Sequence, residues 1–181
     1  MSLIKLLTEK TGDTYEYGCV MLDINFPAMT KIHAAIKPED IYEVEGERTY
    51  GLEDETHVTL FYGLHDGVSL DEVKSIIDKF AFTKILAENV SIFEKDEYDV
   101  LKFDVKSPLL NSINKALTKL PHTNDYPKYN AHLTIGYVKP GTSKKYVKAF
   151  KPIQAVLIPT NVVFSEADGT DHNIKIKVEK S

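Results

Sequence analysis

The chain reads as an α+β protein of two similar lobes flanking a central cleft, and two observations carry that reading. The order strand, helix, loop, histidine-bearing strand, helix, strand occurs twice, in residues 17–94 and again in 99–164, with a C-terminal strand at 172–179 to follow. Two such halves set side by side about an approximate two-fold axis would bring their histidine strands together at a cleft. The second observation is size. At 181 residues, 43% hydrophobic and 27% charged, residues 1–181 fit one bilobal domain that can bury about 70% of its unfolded surface. Neither a disulfide nor a structural metal is needed to fold it.

Tyr17 to Ile24 is a buried strand by composition, and Ala28 to Ile36 a short helix with Met29, Ile32 and Ile36 on one face, stopped near Pro38. The stretch Glu39 to Glu55 holds eight carboxylates and reads as a solvated loop or flap. His57-Val58-Thr59-Leu60-Phe61-Tyr62 is strand-like and ends at Gly63. Ser69 and Glu72 have capping-box spacing ahead of the helical stripe Leu70, Val73, Ile76, Ile77, Phe80. A strand is expected from about Lys84 to Phe93. Val100 to Lys106 then alternates, with Leu101, Phe103 and Val105 opposite a wet face of Lys102, Asp104 and Lys106. Ser107 and Pro108 open a helix with the stripe Leu109, Leu110, Ile113, Ala116, Leu117, Leu120, which Pro121 closes. A loop rich in Pro, Tyr and Asn leads to the second histidine strand, Ala131 to Val138. A helix at Lys144–Phe150, a strand at Ala155–Phe164, a turn at Asp168-Gly169 and the alternating strand Ile174–Val178 complete the chain.

Composition narrows the class of function. The net charge of −5 and a single arginine, Arg48, suit a small ligand better than a long duplex, since tracking a phosphate backbone needs a basic face. No stretch approaches the roughly 18 apolar residues of a membrane span, and Met1–Leu7 is too short and charged for a signal-peptide core. The only cysteine, Cys19, lies in the apolar run Gly18–Leu22 and is expected to be buried in a reducing compartment. A cytoplasmic monomer without membrane attachment is therefore expected.

The chemistry sits in a repeated element: His57-Val58-Thr59-Leu60-Phe61-Tyr62 and His132-Leu133-Thr134-Ile135-Gly136-Tyr137. A bare His-x-Thr is a common accident. Here both copies lie in apolar strands, both carry Tyr at the sixth position, and each takes the same place in its half. Strand parity puts His and Thr of each copy on one face and the apolar residues on the other. By that parity Phe61 and Gly136 face the cleft and Tyr62 and Tyr137 the core, an assignment that a bulge would reverse. Two histidines across a cleft suit phosphoryl chemistry without a metal or other cofactor. A neutral imidazole can deprotonate the attacking hydroxyl while a protonated one donates to the leaving oxygen, and Thr59 and Thr134 can donate to nonbridging oxygens. Which histidine is acid and which base is open. A zinc site would need local His or Cys spacing that neither strand has.

At these residues the chain resembles the 2H phosphoesterase superfamily, the LigT-like group of 2′,3′-cyclic nucleotide phosphodiesterases, 2′–5′ RNA ligase-like enzymes and 2′–5′ oligoadenylate phosphodiesterases. The resemblance rests on His57–Leu60 and His132–Ile135 and on the bilobal order. It implies two α+β lobes, each with an antiparallel sheet, catalytic roles for His57, Thr59, His132 and Thr134, and a phosphodiesterase acting on a small nucleotide or short oligonucleotide. The near absence of arginine departs from the basic character of some RNA-processing members. Phage members that degrade cyclic oligonucleotide immune signals are one alternative, and a noncatalytic nucleotide-binding module another. Phe61, Tyr17 and Tyr129 are the candidate substrate-binding aromatics. Tyr15, Tyr50 and Tyr126 also lie near candidate cleft elements, and His122 could reach substrate. His33, His65 and His172 are read as packed or solvent-facing, and the lysines from Lys139 to Lys151 as a solvated face.

Overall fold

The computed structural model describes residues 15–47, 49–124, 126 and 128–180. The expectations placed on Met1–Leu7 and on Arg48 lie outside them. Strands β1 (Gly18–Asn25), β2 (His57–Leu64), β4 (Ile85–Glu94), β5 (Asp99–Val105), β6 (His132–Val138), β7 (Ala155–Ser165) and β8 (Asp171–Lys175) form a seven-stranded sheet, ordered β1-β2-β6-β5-β4-β7-β8, with β7 also paired to β1. All these pairings are antiparallel. Helices α1 (Met29–Ala34), α2 (Leu70–Ile77), α3 (Pro108–Leu117) and α4 (Ser143–Phe150) supply Met29, Ile32, Val73, Ile77, Leu110, Ile113 and Phe150 to one continuous core. Burial of such stripes, at about 25 cal/mol per Å² of apolar surface, is what holds helices this short in place. The capping box forms as expected, Glu72 N–H donating to Ser69 Oγ and Ser69 N–H to Glu72 Oε2. Ser107 caps α3 through the Leu110 N–H. The C-terminal strand breaks in two: β8 pairs with β7, whereas β9 (Lys177–Val178) runs parallel to the short β3 (Ala81–Phe82).

The internal repeat is present in three dimensions with one change. The last strand of each half is exchanged: β4, from the first half, pairs with β5, and β7, from the second, pairs with β1. The lobes are therefore β2-β1-β7 and β6-β5-β4, cut differently from the sequence halves 17–94 and 99–164. Equivalent residues meet where the lobes join, Val58 opposite Leu133 and Ile85 opposite Leu157. The pseudo-two-fold axis thus passes between the two histidine strands.

Both histidine strands carry the same irregularity. Against β1, Phe61 pairs with Val20 and Thr59 with Met21, leaving Leu60 bulged; against β5, Gly136 pairs with Leu101 and Thr134 with Lys102, leaving Ile135 bulged. A bulged residue frees a carbonyl, and each is taken by a helix side chain from the other half. Asn114 Nδ2 of α3 donates to Leu60 O at 2.8 Å, and His33 Nε2 of α1 donates to Ile135 O at 2.9 Å. Asn114→Leu is expected to strip that carbonyl of its partner and to cost about 1–3 kcal/mol, read as a fall in the urea midpoint. Unchanged stability would show that the bulge does not depend on it.

The acidic stretch is not a free flap. Tyr42 N–H and Glu53 N–H donate to the Tyr137 and Ile135 carbonyls, and Tyr137 N–H donates to Gly51 O. Two segments of the stretch thus extend the sheet along β6 beyond the end of β2. The reason is aromatic: Tyr42 and Tyr50 pack with Tyr98 and Tyr137 at centroid distances of 5.0–5.5 Å, burying apolar surface that the carboxylate count concealed. Gly136 permits the approach, since a Cβ there would lie 3.0 Å from Leu52 Cα.

Candidate active site

Continuing the Val58–Leu133 register one residue each way sets His57 toward Thr134 and Thr59 toward His132. Val58 and Leu133 are fully buried in the core, so alternation turns the two His-Thr pairs to the opposite face, that of the cleft. All four residues expected to be catalytic are thereby brought together on adjacent strands.

The two imidazoles are held in the same tautomer. His57 Nδ1 lies 2.8 Å from Glu55 O and His132 Nδ1 lies 3.0 Å from Asn130 O. A carbonyl only accepts, so each Nδ1 carries its hydrogen, and each Nε2 keeps its lone pair for the cleft. In each copy the anchoring carbonyl is two residues before the histidine. Charge distinguishes the pair. His57 is 4% exposed, and burial, reinforced by the charge of His132, lowers its pKa to about 4 against the opposing pull of the Glu55 carbonyl. His132 is half-buried. Its pKa is lowered too, by burial and by Lys102, while the Asn130 carbonyl and Asp104 oppose the shift.

The threonines differ likewise. Thr59 Oγ1 is buried without a hydrogen-bond partner, an arrangement that costs stability unless something arrives to bond it. Thr134 is 5% exposed.

The candidate aromatics divide. Phe61 is a correction. The bulge at Leu60 turns it from the cleft into the core, where it is 1% exposed with its ring edge-on to His122. The same reversal brings Tyr62 to the cleft face beside Cys19 and Met21. Tyr129 is drawn to the site, its hydroxyl donating to Thr59 O at 2.7 Å. Tyr17 stands at the other end of β2, stacked on His65 and edge-on to Tyr62. Among the other histidines, His122 Nδ1 donates to Leu120 O and His172 pairs with Glu166.

Two residues next to His132 escaped the sequence reading. Phe93 places its ring edge-on to His132 at 5.3 Å and is 39% exposed. Lys102, expected on a wet face, is 6% exposed, with its ammonium 4.2 Å from the centre of the Phe93 ring. The alternation in β5 was read correctly, but the face of Lys102 is the cleft face. A Lys-x-Asp pair in the strand beside a His-x-Thr strand was the available signal.

A two-lobed α+β fold with a His-Thr pair on each of two adjoining strands is the class that these features define. In overall fold the chain is similar to Usb1 of Kluyveromyces marxianus, at TM-score 0.57 and 9% identity, covering 90% of this chain and 99% of that one. It is similar also to the same protein with uridine monophosphate, at TM-score 0.55 and 8% identity, covering 89% and 99%. The likeness bears on the fold alone. No protein-family model and no curated protein sequence matches the chain. No described helix is long and apolar enough to cross a membrane.

Proposed function

We propose that the protein is a metal-independent phosphodiesterase that cleaves a phosphodiester or cyclic phosphate in a small nucleotide or short oligonucleotide by paired-histidine acid–base catalysis. The observation that supports this most is the matched pair of Nδ1-anchored imidazoles flanking the pseudo-axis, each with Nε2 free. In this reading His57, buried and neutral, takes the proton from the attacking hydroxyl, whether water or a ribose 2′-hydroxyl. His132, protonated once the phosphate anion is bound, gives its Nε2 proton to the leaving oxygen. Thr59 and Thr134 donate to the nonbridging oxygens, where charge builds in the transition state. A ligand of nucleotide dimensions is in keeping with the uridine monophosphate in the Usb1 structure of similar fold.

The test is a substrate panel of 2′,3′-cyclic nucleotides, 2′–5′ and 3′–5′ dinucleotides and cyclic di- and oligonucleotides. Cleavage of at least one, lost in His57→Ala, is the expected result. Binding without cleavage across the panel would favour a noncatalytic nucleotide-binding module. Because protein side chains supply every proton transfer in this scheme, turnover is expected to survive excess EDTA. Loss on chelation, restored by zinc or manganese, would replace it with a metal mechanism.

A further inference from the structure

The two halves match at the strand positions directly across from their histidines. Asp23 lies across from His57, with Asn161 on the next strand. At the matching places Asp104 lies across from His132, with Asn89 beyond it. One step along, the likeness ends. Opposite Thr59 stands Met21, with Val163 beyond; opposite Thr134 stands Lys102, with Ser91 beyond. The apolar pair in one lobe is replaced by a charged, hydrogen-bonded cluster in the other.

That cluster is closed on itself. Lys102 Nζ donates to Ser91 Oγ at 2.6 Å and to Asp104 Oδ1, and Ser91 Oγ donates to the same carboxylate oxygen at 2.8 Å. Phe93 covers the ammonium with its face and stands perpendicular to the His132 ring. Burying a lysine is costly even when it is paired, and the matching position of the other lobe holds methionine instead.

We propose, resting on the function proposed above, that the Lys102–Asp104–Ser91 cluster makes the two pseudo-equivalent histidines unequal, with Lys102 a positioning residue for the proton-donating role of His132. Each imidazole has an aspartate across from it, Asp23 for His57 and Asp104 for His132, but only beside His132 is a cation added and bonded to that carboxylate. Among the described residues, the charged or titratable groups brought to bear on His132 are Lys102 and Asp104 of β5 and His57 of β2. Lys102 sharpens His132 as an acid, and Asp104 keeps its protonated form within reach.

The experiment compares K102M, which copies the other lobe, with D104N. Two readouts are followed: the alkaline limb of kcat/KM on a cleaved substrate, and the NMR titration of the His132 ring. K102M is expected to move both upward by on the order of half a pH unit or more and D104N to move both downward, while K102R leaves them near wild type. If K102M fails to fold, D104N still tests the sign, and S91A tests whether the cluster must be closed. Values that stay put in both variants, or move in the same direction, overturn the proposal. Should no member of the substrate panel be cleaved, the function reading fails, and the NMR titration still decides the cluster by itself.

Discussion

Replacing either histidine by alanine is expected to lower kcat/KM by on the order of 10²–10⁴-fold while leaving the fold and much of the ligand affinity intact. In the proposed mechanism each imidazole carries, through Nε2, a proton transfer that matters only in the transition state. The threonines are expected to matter less, with a telling difference in Thr59→Val. Its Oγ1 is buried and unpartnered in the free protein, so exchanging the hydroxyl for a methyl group should leave the melting temperature unchanged or raise it, even as turnover falls. Steady-state kinetics and thermal unfolding of the three variants check this. Wild-type turnover in His57→Ala or His132→Ala would sink the two-histidine mechanism.

The second large effect is on pH. In the proposed mechanism the base, His57, has a pKa of about 4 and the acid, His132, is held below its ordinary value, so the correctly protonated free enzyme peaks between the two and kcat/KM should be bell-shaped with its optimum on the acid side of pH 6.5. That optimum lies lower than unperturbed histidines would give, and the limbs belong to the coupled pair. Stability follows the same group. Between about pH 4 and 6.5 the unfolded chain binds a proton at residue 57 that the folded chain does not, so folding stability rises with pH across that window. It is fully present above about 6.5 and lost as pH falls toward 4. A shift of this size corresponds to roughly 3 kcal/mol. Urea unfolding from pH 7 to 4 should therefore show His57→Gln losing less stability than wild type by about that amount. Parallel curves would mean that His57 is not buried neutral, and a kcat/KM that climbs steadily to pH 9 would count against paired-histidine catalysis.

What could be read in the sequence was whatever depends on near neighbours. Helix starts at Ser69 and Ser107 follow from local hydrogen bonding, the strands from alternation, and the His-Thr pairs from a motif whose two copies share one context. The repeated order of elements was legible because each half is built on the same plan. The exchange of β4 and β7 was not, because strand pairing is settled by which apolar faces meet and not by order along the chain. The acidic stretch misled because eight carboxylates outweigh two tyrosines in any local count, whereas the folded chain counts the aromatic cluster that those tyrosines join.

Phe61 shows the limit most clearly. Period two turned it toward the cleft, and one extra residue at Leu60 turned it back. The carbonyl of that residue is met by Asn114, 54 positions away. Lys102 shows the converse. Its alternation was visible, but whether its face met water or a second lobe depended on β6 and β4 closing around it. The sequence alone determined the residue types for the chemistry and their periodicity. Tertiary structure decided register, bulges and burial, because each is fixed by contacts between segments far apart in the chain, and through them the deeper burial of His57 than of His132.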